Sequence, residues 1–514
     1  MSLPSDTGEP PKSEPTGSQE LHREVRIAWK SARNMGSSLL GTWTVALVVR
    51  FLLPRHLGPA AFGDLNYAST IAEASMLLTA LGIDTYTMRE VAVRPKHASD
   101  YFGGVLVLRS VIAVLVTAAI TLVMGARGKD ASVLLTCLVF AAHFALTGTN
   151  NTMATLLQAT GQTGRLAVVN ISTKILWGIT TAGLIFLPAT KFALWVYAVP
   201  NLIAEVLRTL LVFPTMRSAL NLRLRVDFAA TKAVVWASFP FFLSSLAVSM
   251  AGPLNMSVLE YANTDDRELG WYGAVLNLAG LTMLFSPLLN WVLMPMLSRA
   301  GARNSADLGK VVAYALEAFL MGVLPVVLIG ILGADLWIDI ALGAEYAPAA
   351  TSFRIITLTM AVTYASIILS MGLVAAGHSW TLSTISLVPL IGAPLVAIFS
   401  VTRLGELLGT GGQAAGAAVA LAVPEVFVVL LALLRFGRGV WTRRLARTFG
   451  AAALFCAIVT AVDHGLQSIG NLRLCIDLLL YTALLFGTRT VDVREIRALI
   501  ATLQKARNAR GGSH

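Results

Sequence analysis

The chain has 514 residues, of which 56% are hydrophobic and only 13% charged, with a net charge of +11. A soluble domain carries about 25% charged residues, so these charges cannot coat a water-facing surface of this size, and the mean hydropathy is +0.72. The apolar residues come in blocks of roughly 18 to 25 without alternation, which excludes a membrane β-barrel and leaves helices that satisfy their own backbone groups in lipid. The class is an all-α integral membrane protein, and the basic excess reads as cytoplasmic loops rather than a nucleic-acid surface.

Residues 1–28, with PPKSEPTGSQ at their centre, are expected to form a disordered cytoplasmic N-terminus. The first apolar block begins near Leu39 and has no cleavage site, so it reads as a span and not as a signal peptide. Spans are predicted at about 34–53, 63–84, 102–124, 132–157, 166–187 and 192–213, which make an N-lobe over 29–216. A cytoplasmic linker over 217–234 follows, where LNLRLRVDFAATK suits an amphipathic surface helix. Spans at about 235–258, 271–297, 311–332, 350–375, 381–400 and 413–434 make a C-lobe over 235–434. A C-terminal pair at about 449–467 and 474–488 occupies 435–488, and 489–514 is a basic cytoplasmic tail. That gives about fourteen helices, two six-helix lobes around a central cavity plus two more.

Lysine and arginine set the orientation. Arg89/Arg94/Lys96, Arg217/Arg223/Arg225/Lys232, Arg299/Arg303/Lys310 and Arg435/Arg438/Arg443/Arg444/Arg447 all fall on one side if both termini are cytoplasmic. Prolines interrupt several spans, among them Pro200, Pro253, Pro325 and Pro424, and give bends that suit a moving protein. A short repeat relates Phe62-Gly63-Asp64-Leu65-Asn66-Tyr67-Ala68 to Leu269-Gly270-Trp271-Tyr272-Gly273-Ala274. Corresponding helices in two lobes suit alternating access at the lobe interface.

Several stretches carry a resemblance to a known family. RFLLPRHLGPAAFGDLNYA and ALGIDTYTMREVA, then ELGWYGAVLNLAG, LMPMLSRA, LGAEYAPAATSFRIITL and GAAVALAVPEV, follow one another in order. In that order and spacing the chain resembles bacterial polysaccharide flippases of the multidrug/oligosaccharidyl-lipid/polysaccharide exporter superfamily, over about residues 30 to 490. The loop at Gly377-His378 departs from the pattern by lacking a basic residue. The resemblance implies transport of a polyprenyl-diphosphate-linked oligosaccharide from the cytoplasmic to the periplasmic leaflet of a bacterial inner membrane. It implies two lobes rocking around a cationic cavity, with membrane lipids and lipid-linked oligosaccharide as ligands, no nucleic acid and no cofactor. A glycan polymerase and chain-length machinery are partners the same resemblance suggests.

The sequence itself offers charges at membrane depth, which cost about 2.5–3.5 kcal/mol each at a helix centre and therefore face protein or wet cavities. Arg50, Arg109, Lys174, Arg208 and Arg354 are the candidate cavity cations, because arginine forks onto diphosphate and lysine adds a point charge. For Arg50 and Arg109, cavity lining and snorkelling both remain open. Glu205 and Arg208, spaced i,i+3, read as a mutually neutralising pair, and Arg354 lies in the first turn of its span. Glu73, deepest of the acids, is a candidate proton-coupling site or an internal partner of Arg50 or Lys174. Trp43, Trp177, Trp195, Trp271, Trp291 and Trp337 read as interface belting.

Other readings stay on the page. A lipid II flippase shares the chemistry, and a cation-coupled drug antiporter shares the superfamily. A membrane glycosyltransferase or polymerase is a different class, and its nearest support is the outer pair Asp265-Asp266, which reads better as a solvated turn. No Gly-Lys-Ser/Thr occurs, so no P-loop for ATP hydrolysis is read, nor any metal-ligand spacing around Cys137, Cys456 and Cys475. The chain reads as a transporter and not an enzyme.

Overall fold

The computed structural model describes residues 17–83, 98–159, 163–189, 192–220, 225–262, 265–282 and 286–487. The described residues fold into helices without strands. Eleven of these helices are long and apolar enough to cross a membrane, against the fourteen or so expected. The first two expected spans form one helix, α1 (Gly17–Met76), which with the short turn Leu77–Thr79 after it counts as one span over Gly41–Thr79. The expected spans at 235–258 and 271–297 fall in α6 (Phe228–Ala262), α7 (Arg267–Thr282) and α8 (Ser286–Arg303), which are not among the eleven.

Within α1 only Gly58 leaves helical geometry, at φ 73 and ψ 169. That region of backbone space belongs almost entirely to glycine. Pro59 then restarts the helix with its φ already set and no N–H to leave unpaired. The turn expected between the first two spans is thus a one-residue break. Residues 17–28, expected to be disordered, already belong to α1, because their Glu, Leu, Arg and Ala content favours a helix once it is anchored. Residues 1–16, the stretch 84–97 with Arg89, Arg94 and Lys96, and the expected tail 489–514 lie outside the described residues.

The N-lobe continues through α2 (Ala98–Ala126), α3 (Ala131–Ala159), α4 (Thr163–Ile185) and α5 (Val199–Leu220). The expected linker is shared between the end of α5 and the start of α6, with 221–224 outside the described residues. Asp227 Oδ1 accepts from the Ala229 and Ala230 amides at 2.9 and 3.0 Å, which starts α6 at Phe228. The C-lobe adds α9 (Ser305–Leu332), the short α10 (Ala334–Leu342), α11 (Ala350–Ala375), α12 (Ser379–Leu408) and α13 (Gly412–Phe436). Finally α14 (Arg443–Gly465) and α15 (Arg473–Gly487) pack on α9 through Phe455, Val459, Tyr481, Met321 and Leu328. Arg444 Nε and Glu317 Oε2, 2.9 Å apart, fasten the same contact.

In the N-lobe α1 packs on α3 and α4, and α5 closes on both. In the C-lobe α11, α12 and α13 pack together with α6 against α12. The largest apolar cluster joins the lobes at one end of the bundle, where Phe62, Leu65 and Tyr67 meet Leu259, Trp271, Tyr272, Ile338 and Tyr346. We call this the Pro54 end. Large apolar side chains face outward along the helices, Leu122 at 74% exposure and Phe399 at 73% among them. Such exposure suits lipid contact and would be a liability in water.

The two copies of the sequence repeat meet each other here. A Cβ on Gly63 would lie 2.7 Å from the Gly270 amide nitrogen, and one on Gly270 would lie 1.8 Å from the Pro59 carbonyl oxygen. A Cβ on Gly273 would lie 2.4 Å from Asn66 Nδ2. The repeat therefore marks a seam at which α1 and α7 touch almost backbone to backbone.

Candidate functional site

Helices α1, α3, α4 and α5 enclose a cavity of about 430 Å³ in the N-lobe, within the usual range of about 300–1,000 Å³ for small-molecule sites. Its wall carries Arg50, Lys174, Arg208, Glu205, Asn170, Asn201, Trp43 and Trp177. Glu205 is committed to its own helices. Its Oε2 accepts from Asn150 Nδ2 at 2.6 Å and lies 3.6 Å from Arg208 Nη1, while Arg208 also donates to Asn151 Oδ1 at 3.2 Å. The expected Glu205–Arg208 pair is therefore present, and it sits on the cavity wall.

Arg50 and Lys174 have no such partner. Among the described residues neither lies within ion-pair distance of a carboxylate; Arg50 stacks over Trp43 at 5.2 Å and Lys174 over Trp177 at 3.6 Å. An exposed cation–π contact contributes about 0.5–1 kcal/mol and a desolvated one about 2 or more. Two cations at membrane depth cost about 5–7 kcal/mol together on insertion scales. The rings offset part of that cost and leave a positive surplus facing the cavity. Water and an anionic ligand are what can offset the rest.

Arg50, Lys174, Trp177 and Asn201 also border a second cavity of about 270 Å³, whose far wall includes Asn66 of α1 and Asn277 of α7. The N-lobe cavity thus reaches the seam. There Arg50 Nη1 donates to the Asn277 carbonyl at 3.3 Å, and Asn277 Nδ2 donates to Asn66 Oδ1 at 3.2 Å. Glu73 lines a separate cavity of about 250 Å³ between α1, α6 and α7, beside Ser249, Pro253 and Met256. Among the described residues it pairs with neither Arg50 nor Lys174. The C-lobe holds a mostly apolar cavity of about 630 Å³ with Thr359, Thr363, Ser366 and Glu425 on its wall.

Two expected cavity cations lie elsewhere. Arg109 is buried between helices and donates to the Gly148 carbonyl at 2.7 Å, Thr152 Oγ1 at 2.5 Å and the Ala80 carbonyl at 2.9 Å. It ties α2 to α3 and to the turn that follows α1, because the Gly148 and Ala80 carbonyls and the Thr152 hydroxyl claim its guanidinium. Arg354 meets Asp335 Oδ2 at 2.5 Å on an exposed face, so it is paired and outside every described cavity. Trp43 and Trp177, read as interface belting, line the wall of the N-lobe cavity. Their signal was spacing, since Trp43 precedes Arg50 by two helical turns and Trp177 follows Lys174 by three residues. Trp271 is buried and donates to the Glu345 carbonyl at 3.0 Å, while the side chain of Trp291 lies outside the described residues.

The family model described as "Polysaccharide biosynthesis protein" matches residues 31–301, more than half of the chain. The chain belongs to the polysaccharide biosynthesis protein family. No curated protein sequence matches it. Among solved structures, it is similar to the lipid II flippase MurJ in an inward closed conformation, at 12% identity and a TM-score of 0.63, covering 89% of this chain and 99% of that one. It is similar to an inward-facing multidrug resistance MATE family transporter of the MOP superfamily, at 17% identity and a TM-score of 0.62, covering 77% and 95%. An outward-facing MATE transporter gives 18% identity and a TM-score of 0.52, covering 81% and 95%. These likenesses establish the transporter fold.

In this polysaccharide biosynthesis family member the seam at the Pro54 end is tied by a few polar contacts. Tyr346 Oη donates to the Pro54 carbonyl at 2.9 Å. Arg55 Nη2 donates to the carbonyls of Asp339 and Ile340, at 2.7 and 2.5 Å, at the C-terminal end of α10, where helix carbonyls lack partners and carry partial negative charge. On the opposite flank Glu260 of α6 pairs with Lys129, and with Arg127 at 3.4 Å, from the turn between α2 and α3. Asp265 pairs with Arg267 at 2.8 Å in the turn before α7, and the guanidinium holds that carboxyl below the usual carboxylate range. Among the described residues no group of three His, Cys, Asp or Glu side chains is placed to hold a metal.

Proposed function

We propose that this chain is a flippase moving polyprenyl-diphosphate-linked oligosaccharide from the cytoplasmic to the periplasmic leaflet by alternating access, for O-antigen, exopolysaccharide or capsule synthesis. The observation that carries the reading is the placement of Arg50 and Lys174 on one cavity wall, each over a tryptophan and, among the described residues, neither within ion-pair distance of a carboxylate. The three cations and one carboxylate on that wall leave two positive charges net, matching the charge of a diphosphate diester. Arginine supplies the planar fork for phosphate oxygens, lysine the point charge, and Asn170 and Asn201 offer amides to a polar glycan.

The excess of lysine and arginine in one set of loops supports a topology with both termini in the cytoplasm of the inner membrane, in which the Pro54 end faces the periplasm. The tied seam then corresponds to a carrier closed to the outside. Glu73, on the wall of the cavity between the lobes, is the proposed site of proton coupling. A glycan polymerase and its chain-length partners would take the delivered units.

The test uses cells depleted of the protein and a membrane-impermeant glycan-modifying reagent on spheroplasts. Complete lipid-linked units shielded on the cytoplasmic face, rescued by wild type but not by Arg50→Ala or Lys174→Ala, support the reading. Normal delivery of all lipid-linked sugars to the outer leaflet would falsify it. Lipid II also carries a polyprenyl diphosphate, and the fold likeness to MurJ keeps it as the second cargo; whichever lipid accumulates separates the two.

A further inference from the structure

Among the described residues, Arg50 is the one of the three cavity cations that bonds across the seam. Arg208 bonds within the N-lobe, and Lys174 stacks on its own helix. The Arg50 guanidinium borders both the N-lobe cavity and the cavity at the seam, and its Nη1 reaches the Asn277 carbonyl of α7. The same nitrogen would stand 3.5 Å from a Cβ placed on Gly280, one turn further along α7. So one side chain reads the ligand space on one side and touches the opposite lobe on the other.

We propose that Arg50 couples occupancy of the cavity to opening of the seam: an anionic lipid diphosphate bound between Arg50 and Lys174 draws the guanidinium toward α4 and off the Asn277 carbonyl. The inference rests on the flippase reading and adds a trigger to it. The contact it breaks is a weak one, since 3.3 Å is long for an N–H···O bond and the acceptor is neutral. The contact that replaces it joins two charges and is roughly twice as strong, at about 2.7–2.9 Å. Lys174 on α4 adds its charge on the cavity side, while no carboxylate among the described residues lies within ion-pair distance to hold Arg50 back. Losing the Asn277 contact removes one of the polar ties between α1 and α7 and leaves the Asn66–Asn277 bond and the apolar packing beside the glycine contacts to hold that end. An empty carrier keeps the tie and stays closed at that end, while a neutral lipid leaves it unbroken. Lys174 is on this account a binding residue, and Arg50 a positioning residue that also binds.

The experiment uses the full chain in nanodiscs, with Cys137, Cys456 and Cys475 replaced by serine and spin labels on Ala60→Cys and Ala347→Cys, exposed positions on either side of the seam. Undecaprenyl diphosphate is the probe and undecaprenol the neutral control. Binding is read separately with radiolabelled probe. The probe is expected to raise the wide-separation population about fivefold or more, the lower end of ordinary allosteric coupling, and undecaprenol to leave it unchanged. Lys174→Gln is expected to weaken binding about tenfold yet give the full separation at saturation. Arg50→Gln, or Arg50→Lys if the first variant does not fold, is expected to bind probe while its separation stays the same with and without it. A probe-dependent separation of wild-type size in saturated Arg50→Gln and Arg50→Lys overturns the coupling role and leaves the flippase reading intact. A response to undecaprenol overturns it as well. Failure of the unsubstituted chain to bind the diphosphate lipid at all removes the flippase reading, and this inference with it.

Discussion

The phenol of Tyr346 donates to the carbonyl of Pro54 at 2.9 Å, joining the C-lobe to the last turn before the break in α1. Tyr346 is fully buried, so the bond is made without competing water. Tyr346→Phe keeps the ring and leaves the carbonyl without this donor, at about 1 kcal/mol. The wide-separation population at the Pro54 end is expected to rise about fivefold without ligand. Spin-label distances between Ala60→Cys and Ala347→Cys check it, and an unchanged distribution would mean that the bond does not hold the seam.

Gly270→Ala is expected to fail as a closed carrier. Its Cβ would stand 1.8 Å from the Pro59 carbonyl oxygen, a backbone atom that cannot rotate away. Overpacking of this kind costs about 1–3 kcal/mol and sometimes more. Gly125→Ala is the contrast, since nothing lies within 4 Å of its Cβ. In a helix that change is neutral or stabilising by about 0.5–1 kcal/mol. Melting temperatures in detergent should fall for the first and hold or rise for the second.

Glu268 fastens the start of α13 to the start of α7. Its two carboxylate oxygens accept from the Gly411 and Ala414 amides at 2.7 and 2.8 Å, inside the protein. The positive end of the α13 dipole favours the carboxylate there. Glu268→Gln turns an amide N–H₂ toward one of these donors and should cost about 1–3 kcal/mol. The readout is thermal stability, and Glu268→Asp is expected to restore less than half of the loss because it is one methylene short.

Arg109→Ala and Arg354→Ala separate two residues that look alike in sequence. The first removes three hydrogen bonds in a buried site and should lower stability by at least about 2 kcal/mol. The second removes an exposed pair whose contribution is about 0–1 kcal/mol. Neither should change the affinity of the folded protein for a lipid diphosphate more than about threefold. A tenfold loss of affinity in either would return that residue to the binding site.

The helical architecture was legible because lipid forces every long apolar block into the same backbone solution. The LGP turn was legible too, although its form was not: Gly58 absorbs the whole break in one residue, so no loop is needed. The depth of Lys174 marked it as a cavity candidate, and it lines the N-lobe cavity; the repeat pointed to corresponding helices but not to the contact between Gly63 and Gly270, which depends on how the lobes pack. Arg109 could not be told from Arg50, because both are arginines within apolar spans. What separates them is which carbonyls stand nearby, and Gly148, Ala80 and Asn277 contribute backbone oxygens that every residue type has. The cavity role of Trp43 and Trp177 was hidden for a related reason. Tryptophan suits a membrane interface and a cation equally, and only the fold decides which neighbour it has.

The glycine seam has a mechanical consequence. Surfaces built from interlocked side chains resist sliding and must unmesh one rotamer at a time. Here α1 and α7 approach almost backbone to backbone at Pro59, Gly63 and Gly270. Parting them at the glycines unmeshes little, and the bulky groups that must separate lie beside them, where Phe62 and Tyr67 meet Trp271 and Tyr272. The closed state is then held by that apolar cluster and by discrete clips, Tyr346, Arg55, Glu260 and Arg50, around a glycine contact that acts as the joint's smooth bearing.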